Sequence, residues 1–378
     1  MYTVGNEDRA CISPPETEGS DRWDDVVGTG PFMFKEYVVG SHMTFMRNPN
    51  YWQKTTINGV EYEIPFIDEM VWPIIPDEST AIAALRTGAV DCSESVAVMQ
   101  WAGLDQTTPE LLSKRTGVGY AWSVCFNCSE SPFDNINVRR AMMIGMDLPA
   151  MFAFAGVEPE PLHLYPMNPG IPSVYTPLEE LPAETQLLYD YNPELARQML
   201  ADEGYPDGFA MQFTIESRTP EHADRASLIR DIWSKIGVEV EINLFDSPSY
   251  NNILNKVTYH GAIEDEIEAA NPTDTLVRRG TPGGVFNYSK WENEQFTELL
   301  ERLVAERDVD EQNRLCKEGG VLLLNEVSNL PLYPSCMGTF WWPWVKNFFG
   351  ERAIADKCSS QLSARVWIDQ DLKKEMGY

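Results

Sequence analysis

Apolar and polar positions alternate with period two over residues 32–39 and 43–47, with Gly40-Ser41 between the runs, and this predicts two strands joined by a tight turn. Residues 69–75 read as a further strand. A short helix is expected over 79–87: Asp77 and Glu78 precede it, Ala81, Ala83, Ala84 and Leu85 lie inside it, and Gly88 stands where a C-cap belongs. Val90-Asp91-Cys92 then begins another strand. Strands broken by a single helix suit part of an α/β lobe.

The second half carries stronger periodicity. Residues 137–146 read as a helix, and 157–185 hold seven prolines with little periodicity, so a long surface loop is expected there. Asn192 is a good N-cap with Pro193 at the first helical position, Leu195, Ala196, Met199 and Leu200 make an apolar face, and Gly204 stops the helix. Residues 209–215 form a strand, 225–236 a helix with Leu228, Ile229, Ile232, Trp233 and Ile236 at helical spacing, and 238–244 a strand after Gly237. That succession is a βαβ unit with a right-handed crossover. Two amphipathic helices follow at 293–305 and 311–327, then a strand at 330–333 and the aromatic run Phe340-Trp341-Trp342-Pro343-Trp344.

A chain of 378 residues with 43% hydrophobic and 23% charged residues is an ordinary globular protein of two domains or one large one. Its formal net charge of -29 is not ordinary, and it excludes nucleic acid as a partner, because phosphates need a Lys/Arg surface. The acidity reads either as a solvated surface or as a cleft that favours cationic ligands. No apolar run approaches the roughly 20 residues of a membrane helix. The first nine residues lack the basic and apolar regions of a signal peptide, and no apolar segment precedes Cys11, so no lipid anchor is expected there. Cys125 and Cys128 make a CxxC inside a strand-like segment, where residues three apart face opposite sides; with only four histidines (42, 163, 222, 260), buried thiols or one incidental disulfide are expected rather than a metal or redox site.

A fixed series of landmarks runs along the chain: Gly28-Thr29-Gly30-Pro31-Phe32, Arg47-Asn48-Pro49-Asn50-Tyr51-Trp52, and Pro76-Asp77-Glu78-Ser79-Thr80. Asn127 with Pro132-Phe133, Val138-Arg139-Arg140-Ala141, Tyr191-Asn192-Pro193-Glu194, Ile236-Gly237-Val238 and Asn287-Tyr288-Ser289-Lys290-Trp291 continue it. In this order, from about Val27 to the end, the chain resembles the extracytoplasmic solute-binding proteins of peptide and nickel ABC importers. The resemblance implies an α/β, two-lobed periplasmic-binding-protein-like fold with two hinge strands, here Gly119–Asn127 and Leu332–Phe340. It divides the chain into a remainder of lobe I (1–124), lobe II (125–338) and a return to lobe I (339–378). Such proteins carry a longer segment before the glycine turn than the 27 residues present here, so the first lobe is expected to be incomplete.

GxSxG, P-loop, GxGxxG, HExxH and EF-hand patterns are all absent from the sequence, so neither enzymatic chemistry nor a metal or cofactor is expected. The resemblance implies instead a receptor, expected to be monomeric and periplasmic or extracellular, that captures a small ligand, foremost a short peptide, and delivers it to an ABC permease. In Glu266-Ile267-Glu268-Ala269-Ala270-Asn271-Pro272, Glu268 matches the acid that in peptide-binding relatives holds the ligand's amino group, since a buried ammonium must be paired. Relatives usually have an aromatic residue where Asp265 falls and Asp where Asn271 falls, which leaves the ligand class open. Glu268 reads equally as one more solvated acid of an acidic run. Arg218, in the loop after strand 209–215, suits a peptide carboxylate, while Arg225 or Arg230 would make surface pairs. Tyr120, Trp122, Tyr288, Phe340 and Trp342 supply either aromatic cleft walls or core packing. Other cargoes (nickel chelate, sugar, opine, haem) and a ligand-sensing module of a regulatory protein stay open as alternatives.

Overall fold

A computed structural model describes Pro15 and residues 22–158, 165–268, 271–351 and 360–378, the side chains of 116–119 and 360–361 excepted. The first nine residues, Cys11, His163 and Cys358, on which the sequence raised expectations, lie outside the described residues. The chain divides into two compact units, one of residues 1–116 and 337–378 and the other of 117–336.

In the first unit, β1 (Phe32–Val38), β2 (His42–Arg47) and β5 (Glu69–Pro73) form an antiparallel three-stranded sheet in the order β1-β2-β5. Between them β3 (Lys54–Ile57) and β4 (Val60–Glu63) make a separate hairpin that hydrophobic alternation does not reveal. Its signal is the dipeptide Asn58-Gly59, whose positive φ values of 52° and 81° are those of a two-residue hairpin turn. Helix α1 (Glu78–Arg86) starts at Asp77, whose carboxylate accepts from the Thr80 amide at 2.8 Å. After β6 (Cys92–Ala97) comes α2 (Val98–Thr107), which contributes Leu104 to a core with Ile82, Leu85, Phe340, Trp342 and Trp344.

Strand β7 (Leu112–Phe126) carries the chain into the second unit. There follow α3 (Ile136–Ile144), α4 (Leu148–Ala155), the single turn α5 (Ala183–Gln186) and α6 (Pro193–Asp202). Among the described residues of the proline-rich stretch there is no strand, but the stretch is not confined to the surface: Tyr165, Met167, Val174 and Leu181 are buried. Proline lowers the entropy of ordering such a segment, so it packs apolar side chains with no more than single helical turns among its described residues. Then come β8 (Phe209–Glu216), α7 (Pro220–Ser234), β9 (Val238–Phe245), α8 (Ser247–Lys256), β10 (Ala262–Glu268) and α9 (Pro272–Gly280). Helix α7 begins five residues before the hydrophobic pattern does, because Pro220 at its first position is preset for helix. Helices α10 (Glu294–Ala305) and α11 (Val309–Glu326) precede β11 (Asn329–Trp341), which returns the chain to the first unit. There its residues 337–341 pair with β6, and β12 (Val345–Lys346), α12 (Ser360–Ser363), β13 (Trp367–Ile368) and α13 (Gln370–Glu375) complete the chain.

The second unit's strands lie in the order β11-β7-β10-β8-β9, with β8, β9 and β10 parallel to one another and β7 antiparallel to β10. The sheet is covered on both faces. Val124, Phe126, Phe213 and Ile215 face a core shared with α3 and α7, while Cys125, Ile263 and Ile267 face cores shared with α8 and α9.

Candidate functional site

Strand β8 is followed by α7 on one face of the sheet, and its neighbour β10 by α9 on the other. Adjacent parallel strands whose crossovers diverge define a switch point, and their carboxyl ends bound a crevice where α/β folds bind ligands. The ladder between β8 and β10 is short. β8 and β10 pair only at Phe213↔Ala262 and Thr214↔Ile263, after which β8 continues to Glu216 alongside β9 and β10 continues to Glu268 alongside β7. The Glu264 carbonyl, past the last β8–β10 pair, accepts from the Tyr250 hydroxyl.

Charged side chains occupy the split. On the α7 face Glu264 is 2% exposed, and its Oε1 accepts from Arg225 Nε at 2.7 Å while its Oε2 lies 2.5 Å from His222 Nδ1. Arg225, wholly buried, also donates to the Tyr333 hydroxyl at 2.6 Å and to Glu221 at 3.1 Å, and its guanidinium lies 3.9 Å from the centre of the Trp122 ring. On the α9 face the buried Asp265 accepts from Arg279 at 2.5 Å. Burial presses Glu264 upward, but the His222 hydrogen bond and the Arg225 charge outweigh it and hold this carboxyl below its ordinary value. At Asp265 burial dominates, and Arg279 offsets only part of the rise.

The expected site residues distribute unevenly around this edge. Glu268 ends β10 directly opposite Tyr120 of β7, and both are half-buried. Arg218 is exposed in the three-residue turn between β8 and α7, its Nε 3.7 Å from Glu216. Asn271 is the N-cap of α9 and accepts from the Asp274 amide at 3.2 Å. Trp122, opposite Glu266, has one face covered by Arg225. Three aromatics lie in cores: Tyr288 with Cys125, Tyr250 and Ile263, and, in the first unit, Phe340 and Trp342, the latter donating its indole N–H to the Leu85 carbonyl at 2.8 Å. Arg230 makes a surface contact with Asp231, but Arg225 does not make the surface pair expected of it. His222 and Arg225 fall in register with Ala226, Ile229 and Trp233, so a charged residue on an apolar helical stripe was the available signal for the buried network. Cys125 lies in β7 and Cys128 just beyond it, both as free thiols, and burial pushes Cys128 up to about 11. Among the described residues, no three His, Cys, Asp or Glu side chains are grouped to hold a metal ion, and no helix is long and apolar enough to cross a membrane.

The mixed α/β framework matches that of periplasmic-binding-protein-like structures. The periplasmic binding protein DppA of Helicobacter pylori, solved with the peptide STSA, aligns with 90% of the chain and 63% of its own at a TM-score of 0.73 and 21% identity. The chain belongs to the bacterial extracellular solute-binding proteins, family 5, whose middle-region model matches residues 9–279. Among curated relatives, it is 27% identical to heme-binding protein A of Haemophilus influenzae over 318 residues, 81% of the chain and 54% of that protein. It is 24% identical to the glutathione-binding protein GsiB of Salmonella typhimurium over 337 residues, 85% of the chain and 62% of that protein. The chain thus spans between about half and two thirds of these curated relatives.

Proposed function

We propose that the chain is the ligand-capturing component of an ABC importer, acting as a monomer outside the cytoplasm, taking up a short peptide and performing no chemistry on it. Membership of the family carries this reading. The split carboxyl edge of β8 and β10 supports a binding place bounded by Arg218 and Glu268, with Tyr120 beside Glu268. In this reading Glu268 pairs the ligand's ammonium and Arg218 its carboxylate, and both gain strength as ligand excludes water. The names of the two curated relatives support different cargoes: glutathione is itself a tripeptide, whereas haem is the alternative.

The test is calorimetric titration of the chain with di- to tetrapeptides, their N-acetylated forms, glutathione and haemin, alongside thermal melts. Peptide binding should raise the melting temperature with concentration, as linkage requires. Acetylation and Glu268→Ala should each weaken binding by more than about tenfold, the loss expected when a buried charge loses its partner. Saturable binding of haemin alone would replace the cargo. Equal affinities for Glu268→Ala and the parent chain would remove Glu268 from the site.

A further inference from the structure

Two adjacent residues of β10 are tied to the two helices that diverge from the switch point. Glu264 holds Arg225 of α7 on one face, and Asp265 holds Arg279 of α9 on the other. Neither arginine sits at the solvent edge, and neither was expected to take part in binding. The α7 side is the more extensively built. Arg225 joins four elements: β10 through Glu264, the first turn of α7 through Glu221, β11 through the Tyr333 hydroxyl, and β7 through the face of Trp122. His222, one turn earlier on α7, closes the second oxygen of Glu264. These bonds lie where the β8–β10 backbone ladder has stopped, and they tie β10 to α7, the helix that follows β8.

We propose that Arg225 is a positioning residue of the ligand-binding edge: through Glu264 and Glu221 it fixes the turn that carries Arg218 relative to the end of β10 that carries Glu268. The inference deepens the binding reading and rests on it for the identity of the edge as a ligand site. The geometry favours a link over plain packing, because a planar fork with bonds in three directions defines orientation as well as distance. A hydrophobic residue of the same volume would fill the split without fixing the register of the turn against the strand.

The experiment compares the parent chain with Arg225→Met, Arg225→Lys and the double variant Arg225→Met/Glu264→Gln, and with Leu200→Ala as a core control in α6, remote in sequence from the edge. Hydrogen–deuterium exchange without ligand is read at residues 216–221 and 264–268. Arg225→Met should raise exchange there at least tenfold more than Leu200→Ala does, with Arg225→Lys intermediate. If Arg225→Met does not fold, the double variant, which leaves no buried lone charge, takes its place with the same expectation. A rise spread evenly over the second unit, or equal in the control, overturns the proposal. Titration with tetra-alanine adds the functional arm. Affinity should fall about tenfold in Arg225→Met and be partly restored in Arg225→Lys, whereas unchanged affinity overturns the proposal. A parent chain that binds no peptide overturns the peptide reading instead, and the exchange data still decide whether Arg225 fixes the edge.

Discussion

Glu264 and Asp265 are sequence neighbours with opposite consequences for stability. The folded protein holds Glu264 below its ordinary value of 4.5, so its contribution is complete above that value and is lost as pH falls through the depressed one. Asp265 is held above its ordinary 3.8, so the fold binds its proton more tightly than the unfolded chain does. Stability from that site therefore declines as pH rises from 3.8 into the raised value. Removing one partner of a buried pair typically costs about 3–5 kcal/mol. Glu264→Gln, which strands Arg225, should lower stability by that order at pH 7. In urea melts, its deficit against the parent chain should shrink as pH is lowered from 6 to 3, because acid removes from the parent what the substitution has already removed. A constant deficit over that range would mean that folding leaves the titration of Glu264 unshifted.

Elements were legible where a local rule acted alone. Asn192 and Pro193 fixed the start of α6 because a cap and a preset φ need no tertiary partner. The β8-α7-β9 unit followed from periodicity and Gly237. Helix α8 escaped because its sequence is largely polar and buries only Tyr250 and Leu254. The candidate edge was legible at Glu268 and Arg218 through resemblance, but Arg225 was misread, since nothing in sequence says that four elements converge on one guanidinium. At Asn271 the side chain caps α9. Asn271→Asp should preserve stability and Asn271→Ala should cost about 1 kcal/mol, read by chemical denaturation. If Ala costs nothing, the cap does not hold the helix. A second element-scale constraint is Gly208, at φ 78°, where a Cβ would sit 1.8 Å from the Gly237 carbonyl oxygen. Gly208→Ala must push β8 from the start of β9, and a loss above about 2 kcal/mol is expected from overpacking plus backbone strain. A neutral effect would show that the two loops yield without disturbing the sheet.

At the scale of the molecule the dominant quantity is charge. If each of the 29 basic residues neutralised one of the 58 acidic ones, 29 acids would still be uncompensated. Exposed pairs such as Arg314 with Glu311 and Glu318 contribute little because solvent screens them, whereas uncompensated acids repel one another across the whole surface. Salt shortens the screening length from about 30 Å at 0.01 M to about 3 Å at 1 M, which quenches long-range repulsion and leaves the buried Glu264–Arg225 and Asp265–Arg279 pairs nearly untouched. The melting temperature should therefore rise as KCl is raised over that range. The same field draws an amino-bearing ligand toward the acidic molecule, so its association rate should fall over the same range while dissociation changes little. Stopped-flow binding of a cationic peptide beside thermal melts reads both signs at once. A melting temperature that falls with salt would mean that attractive surface pairs outweigh the excess of acids. An association rate that ignores salt would mean that the ligand meets a locally neutral edge, as the internal pairing of Glu264 and Asp265 with arginines would allow.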